Sequence, residues 1–139
     1  MVRLKTRYIL FEILYPERSV TSDSYSSRSK TILALHQPTQ SSINARILVS
    51  LIRSSLSLNF GDIGAASAVS MSLKYFSNKT STGIIRINRD NYRYIIGALT
   101  LIDEIGGEKV IVRCVSVSGS IKKCEDKSVE ISKRMMKEV

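Results

Sequence analysis

The sequence predicts an α+β fold: a ferredoxin-like βαββαβ sandwich with a four-stranded antiparallel sheet and extra helices. Three observations predict it. Segments rich in β-branched and aromatic residues alternate with segments whose apolar residues recur at helical spacing. Their order is strand, helix, strand, strand, helix, strand, with turn-forming clusters between them. The 139 residues, 43% hydrophobic and 24% charged, suit one domain (1–139) with a substantial core.

Each element has its own signal. Tyr8 to Tyr15 is dense in β-branched and aromatic residues and stops at Pro16, so it reads as a strand buried on much of both faces. Residues 17–27 are polar and serine-rich and read as a loop. Arg28–Leu35 reads as a short helix cut off before Pro38, and 16–40 as a whole as a variable connection. Ser41 or Ser42 is placed to cap a helix running to about Leu58. Its stripe is Ile43, Ile47, Leu48, Leu51, Ile52 and Leu56, with Arg46 and Arg53 sharing a face off that stripe. Asn59-Phe60-Gly61-Asp62 is expected to end it, Gly61 being the natural left-handed residue.

Ala68–Phe76 reads as the second strand, with Val69, Met71, Leu73 and Tyr75 alternating against Ser70, Ser72, Lys74 and Phe76. A turn at 78–81 returns it as Thr82–Ile87. Asn88 is expected to cap the next helix, striped by Tyr92, Ile95, Ile96, Leu99, Ile102 and Ile105 and stopped by Gly106-Gly107. Lys109–Ser118 reads as the last strand. Residues 121–139 form a C-terminal helix with a weak stripe through Cys124, Ser128, Ile131 and Met135. This order also underlies RNA-recognition modules, hence an RRM-like fold, although fold does not give function. The aromatics on which such modules stack bases are missing from Thr82–Ile87.

The net charge is +9 and is unevenly placed. Residues 24–89 carry Arg28, Lys30, Arg46, Arg53, Lys74, Lys79, Arg86 and Arg89 against Asp62 alone, a net of +7. Such an excess fits a polyanion, either nucleic acid or an anionic membrane surface. Several classes are excluded. Cys114 and Cys124 cannot make a disulfide framework, and with His36 as the single histidine no usual zinc quartet exists. There is no G-x-S-x-G, phosphate-binding P-loop or dinucleotide turn. The longest apolar run, Tyr94–Ile102, is about half a membrane span, so no span is expected, and no membrane is counted among the partners. Glu12 interrupts the one segment resembling a signal peptide. These features predict a soluble, intracellular chain with reduced thiols.

Three stretches carry binding chemistry. Arg3, Lys5 and Arg7 alternate ahead of the first strand, so in extended chain they project to one side about 6.8 Å apart. That suits a basic arm (1–7) tracking a phosphate backbone, or equally a solvated tail. The hairpin gathers Lys74, Tyr75, Asn78, Lys79, Thr80, Thr82 and Arg86. Its cations can neutralise phosphates, its hydroxyls and amide can bond phosphate or ribose, and Tyr75 is a candidate to stack on an unpaired base. The alternative is a polar tip; by alternation either Tyr75 or Phe76 must face the core. Gly119-Ser120-Ile121-Lys122-Lys123 reads as a phosphate-contacting turn or the start of an amphipathic helix. His36 reads as a surface or partly packed side chain, and Asp103-Glu104 as solvated. No acid/base constellation survives.

Four blocks in order resemble a known family: Met1–Glu12, Ser55–Asp62, Leu73–Arg86 and Val115–Lys123. They are similar to the small Pop-five type protein subunit of ribonuclease P and ribonuclease MRP, the fungal members above all. Residues 16–40 and 124–139 do not match closely. The resemblance implies an RRM-like protein that is not itself the catalyst. The catalyst in this family is an RNA, which removes the 5′ leader of precursor tRNA or, in the MRP particle, cleaves precursor rRNA. It implies as partners that catalytic RNA with precursor tRNA nearby, a TIM-barrel-like subunit of the Rpp-thirty type, and a second small RRM-like subunit. It implies magnesium held on the RNA, no cofactor on the protein, and a nuclear and nucleolar location. The residues expected to contact RNA are Arg3, Lys5, Arg7, Arg53, Lys74, Tyr75, Asn78, Lys79, Thr80, Thr82, Arg86, Lys122 and Lys123. Competing readings are a protein–protein scaffold with little RNA contact and a small enzyme acting on an anionic metabolite.

Overall fold

The computed structural model describes residues 5–18 and 25–138. A four-stranded sheet sits between two helical layers. Its strands are β1 (Thr6–Leu14), β2 (Ser72–Ser77), β3 (Thr82–Asn88) and β6 (Ile111–Ser118), in the spatial order β2-β3-β1-β6. Every neighbouring pair is antiparallel. The order and directions are those of the split βαβ, ferredoxin-like arrangement. Helix α1 is Arg28–Leu35, α2 is Ala45–Ser67, α3 is Tyr92–Thr100 and α4 is Ile121–Glu138. Two short strands, β4 (Glu104–Ile105) and β5 (Glu108–Lys109), form a separate hairpin.

Alternation along β1 sorts its side chains between the layers. Ile9, Phe11, Ile13 and Tyr15 join Ile85 and Ile87 of β3, Leu48, Ile52 and Leu56 of α2, and Ile95, Ala98 and Leu99 of α3 in the main core. Leu10 and Ile84 face the other way and pack with Cys124 of α4, flanked by Tyr8, Val115 and Ile121. Phe11 needs the space left by Gly83: a Cβ there would lie 2.5 Å from the ring's Cζ. Beside α4 sits α1, joined to it by Ser29 Oγ donating to the Glu138 carbonyl at 2.7 Å and by an Arg28–Glu138 pair at 2.9 Å.

The structure departs from the sequence expectations at defined points. Helix α2 is capped by Asn44, whose Oδ1 accepts the Ile47 amide at 3.0 Å, not by Ser41 or Ser42. Gly61 does break the helix (φ 63°, ψ −145°), yet the helical path resumes and runs to Ser67. Residues 68–70 are a 3₁₀ turn and not strand, and Val69 is exposed, outside the expected alternation. A bulge between Leu73 and Tyr75 resets the phase of β2, so Phe76 faces the core and stacks on Phe11 while Tyr75 turns outward. Asn88 stays in β3 opposite Thr6, and Asn91 precedes α3. The helix ends at Thr100. Gly106 and Gly107, both at positive φ, turn the β4–β5 hairpin instead of stopping the helix. Helix α1 lies where it was expected.

Candidate nucleic-acid interface

The strand register decides which basic residues meet. Thr6 lies opposite Asn88, and Tyr8 lies opposite both Arg86 and Ser118. The start of β1, the end of β3, the end of β6 and the first turn of α4 therefore share one end of the sheet. Lys5, Arg7, Arg86, Lys122 and Lys123 come together there. Lys5, Arg86, Lys122 and Lys123 are exposed; Arg7 is half-buried, its Nη1 donating to the Thr6 carbonyl at 2.9 Å beside Gly119. Arg89 joins them: it is exposed, and its amide donates to the Lys5 carbonyl at 2.9 Å. Ser120 opens α4, its Oγ accepting the Lys123 amide at 3.3 Å. No carboxylate among the described residues lies within ion-pair distance of these six cations. Arg3 lies outside the described residues.

The hairpin tip sits at the opposite end of the sheet. Thr80 is six residues from Arg86, about 20 Å at strand rise. Its polar residues hold the chain's own loops. The Asn78 amide donates to the carbonyls of Gln40 (2.9 Å) and Ile43 (2.8 Å). The Asn78 carbonyl accepts the Thr39 amide at 2.7 Å. Ser81, buried at φ 54°, donates to the Gln37 carbonyl and bonds the Thr39 hydroxyl, which also accepts from Tyr15. Thr80 and Thr82 share a hydroxyl contact at 2.7 Å. Asn78 thus has a structural task, while Lys79 and Thr80 remain exposed. Lys74 and Tyr75 lie exposed on the edge strand between the two ends, and Arg53 stands apart on α2. The residues expected to contact RNA fall at the sheet end, at the hairpin tip, on the edge strand and, for Arg53, on α2.

The outer sheet face, on which an RNA-recognition module would stack bases, is closed by α4. Leu10 is 2% exposed, Ile84 1% and Cys124 0%. Burial and the neighbouring Cys124 raise the Cys114 thiol's pKa, and burial raises that of Cys124, so both favour the thiol form.

Under the far end of α4 lies a feature that the sequence reading missed. Glu12, only 4% exposed, faces Arg113 Nη1 at 3.3 Å and His36 Nε2 at 3.6 Å. His36 Nδ1 is 2.9 Å from the Ile32 carbonyl, which fixes that nitrogen as the protonated one. Pairing with Glu12 pushes the His36 pKa up against the opposing effect of burial, and the Ile32 carbonyl adds to the rise. The signal in the sequence was a lone carboxylate inside an otherwise apolar strand. Among the described residues no three or more His, Cys, Asp or Glu side chains gather to hold a metal.

Comparisons with known proteins agree on one family. The profile of the Rpp14/Pop5 family matches residues 7–129. The chain is 46% identical over 127 residues to "Ribonuclease P/MRP protein subunit POP5" of Saccharomyces cerevisiae, covering 90% of this chain and 73% of that protein. It is 46% identical over 134 residues to the protein of the same name from Schizosaccharomyces pombe, covering 96% and 89%. Among solved structures it superposes on a chain of a cryo-EM structure of yeast ribonuclease MRP with a TM-score of 0.52 at 14% identity. That match covers 100% of this chain and 99% of the other, a likeness of fold.

Proposed function

The chain belongs to the Rpp14/Pop5 family, and from that premise we propose that it is an RNA-binding protein subunit of ribonuclease P and ribonuclease MRP. In this reading it supplies no catalytic group. It holds the catalytic RNA in its active shape for 5′ leader removal from precursor tRNA and for precursor rRNA processing. The observation that carries the reading is the convergence of six cations, none paired with a carboxylate among the described residues, at one end of a sheet whose base-stacking face is covered. Such a surface neutralises phosphates and recognises backbone and shape, and it has no platform for reading bases.

Packed RNA helices repel one another through their phosphates, and a cationic surface relieves that repulsion without donating ligands. Magnesium, on this account, sits on RNA phosphates, and Glu12 is held in an internal ion pair. Lys74, Lys79 and Thr80 extend the RNA-facing surface beyond the sheet end. Leu58, Ile63 and Val69, exposed around the Gly61 break, favour a protein-docking role beside the RNA-binding one. The partners would be the TIM-barrel-like subunit and the second RRM-like subunit, in the nucleus and nucleolus.

The test is recovery of the tagged full chain from its own cells under mild salt, with sequencing of the bound RNA and an assay of precursor-tRNA cleavage. One abundant structured RNA with that activity supports the proposal. Recovery of protein partners that survives nuclease and high salt, with no RNA enriched, would support the scaffold reading instead.

A further inference from the structure

Between α2 and the edge strand β2 runs an open groove of about 680 Å³. Its floor is apolar, made by Val49, Met71 and Leu73. One wall is a single face of α2, carrying Arg46, Ser50, Arg53, Ser54 and Ser57, and Ser72 of β2 completes the lining. All five α2 side chains are exposed. Among the described residues none of these guanidiniums or hydroxyls has a side-chain partner, and no carboxylate lines the groove.

The chemistry is selective. Two guanidiniums without a carboxylate call for an anion. The exposed hydroxyls of Ser50, between them, and of Ser54 and Ser57, beyond Arg53, add donors suited to phosphate oxygens or ribose hydroxyls. Arg46 and Arg53 are seven residues apart, about 10.5 Å along the axis at helical rise, an interval spanned by roughly two phosphodiester units of a strand. An acidic peptide would offer acceptors too, but the neighbouring cationic sheet end favours a strand that carries an anion at every unit. The groove also adjoins the cationic sheet end around the edge of β2, since Ser72 in its lining lies opposite Arg86.

We propose that this groove is a second RNA-backbone site. One RNA strand would run from the Lys5, Arg86 and Arg89 end of the sheet, around the edge of β2, and onto Arg46 and Arg53. This rests on the RNA-binding reading above and extends it to a surface on the opposite helical layer. Only Arg53 of its residues was expected to contact RNA from sequence. The site is sequence-tolerant, because every polar group in it addresses phosphate or sugar.

The test is hydroxyl-radical footprinting of the particle reconstituted from the full chain, its RNA and its partner subunits. Wild type is compared with the Arg46→Gln/Arg53→Gln double variant, which keeps the helix and removes two exposed charges. The expected result is loss of one short run of backbone protections, with those from the sheet end retained. The slope of log affinity against log salt should shrink by about 1.4 to 1.8. An unchanged footprint and slope would overturn the groove assignment while leaving the proposed function standing. So would an intact footprint with loss of a protein subunit, which would make the groove a protein contact. Failure of wild type to protect any RNA would overturn both.

Discussion

Glu12 shows how one side chain ties three elements together. It sits in β1 with Arg113 of β6 on one side and His36, at the end of α1, on the other. The raised His36 pKa has a definite sign in stability. Protonation is favoured in the folded state, so the stabilisation is fully present below the unfolded value of about 6.5. It is lost as the pH rises through the higher folded value. Thermal unfolding of the full chain should therefore show a melting temperature that falls between pH 6 and 8. Because His36 is the single histidine, Glu12→Leu should flatten that profile. The same variant should keep the protein folded, since a leucine there meets Leu10, Val115 and Met135 across the adjoining cavity. Arg113→Ala, by contrast, leaves the buried carboxylate with His36 alone. It should cost about 1 kcal/mol by chemical denaturation, a modest figure because the Arg113 side chain is 60% exposed. A pH profile identical in wild type and Glu12→Leu would remove His36 from the account.

Two elements carry the architecture's less obvious features. Gly61 adopts φ 63° and ψ −145°, a region that essentially only glycine occupies, and nothing lies within 4 Å of where a Cβ would project. Gly61→Ala should thus destabilise by about 1–3 kcal/mol through backbone strain alone, measured by urea unfolding. Gly61 was legible in sequence as a left-handed residue, but the resumption of helix to Ser67 was not. The small residues Ala65, Ala66 and Ser67 lack an amphipathic stripe, and the close fit of Gly64 against the Leu56 carbonyl exists only in three dimensions. The β2 bulge was hidden for a related reason. Lys74 is a plausible alternating residue, and only pairing with β3 shows the shift that sends Phe76 inward. Helix α4 was legible through Cys124, Ser128, Ile131 and Met135, but its seat on the outer sheet face was not. Removing residues 121–139 should expose Leu10, Ile84 and Val115. The expected outcome is strong binding of a hydrophobic dye and a melting temperature lower by roughly 10 °C or more. An unchanged melting temperature would show that α4 adds little to the fold.

For the whole molecule, the basic composition acquires a layout. The sequence located the positive excess in the middle of the chain, and it pointed to the basic residues flanking β1 and opening α4. It could not show that antiparallel register brings Lys5, Arg86, Arg89, Lys122 and Lys123 to one end while carrying Lys79 and Thr80 to the other. Nor could it show that Asn78, read as a ligand-facing amide, anchors the 40–43 segment. Hydrophobic period specifies strands and helices; where cations meet depends on pairing partners far apart in the chain. The missing aromatics on β3 and the covering of that face by α4 have a common meaning. On the proposed reading, a sheet sealed by its own helix favours backbone recognition by charge, and such binding depends steeply on salt.

The most direct measurement is the salt dependence of RNA binding by the full chain, using the RNA component of a ribonuclease P or MRP particle from the same cells. Wild type is set against the Lys5→Gln/Arg86→Gln/Lys122→Gln triple variant, whose fold is checked by circular dichroism. If the sheet end neutralises phosphates, the triple variant binds more weakly and its log–log salt slope is shallower by roughly 2 to 3. Equal affinity and equal slope in the two proteins would contradict the account.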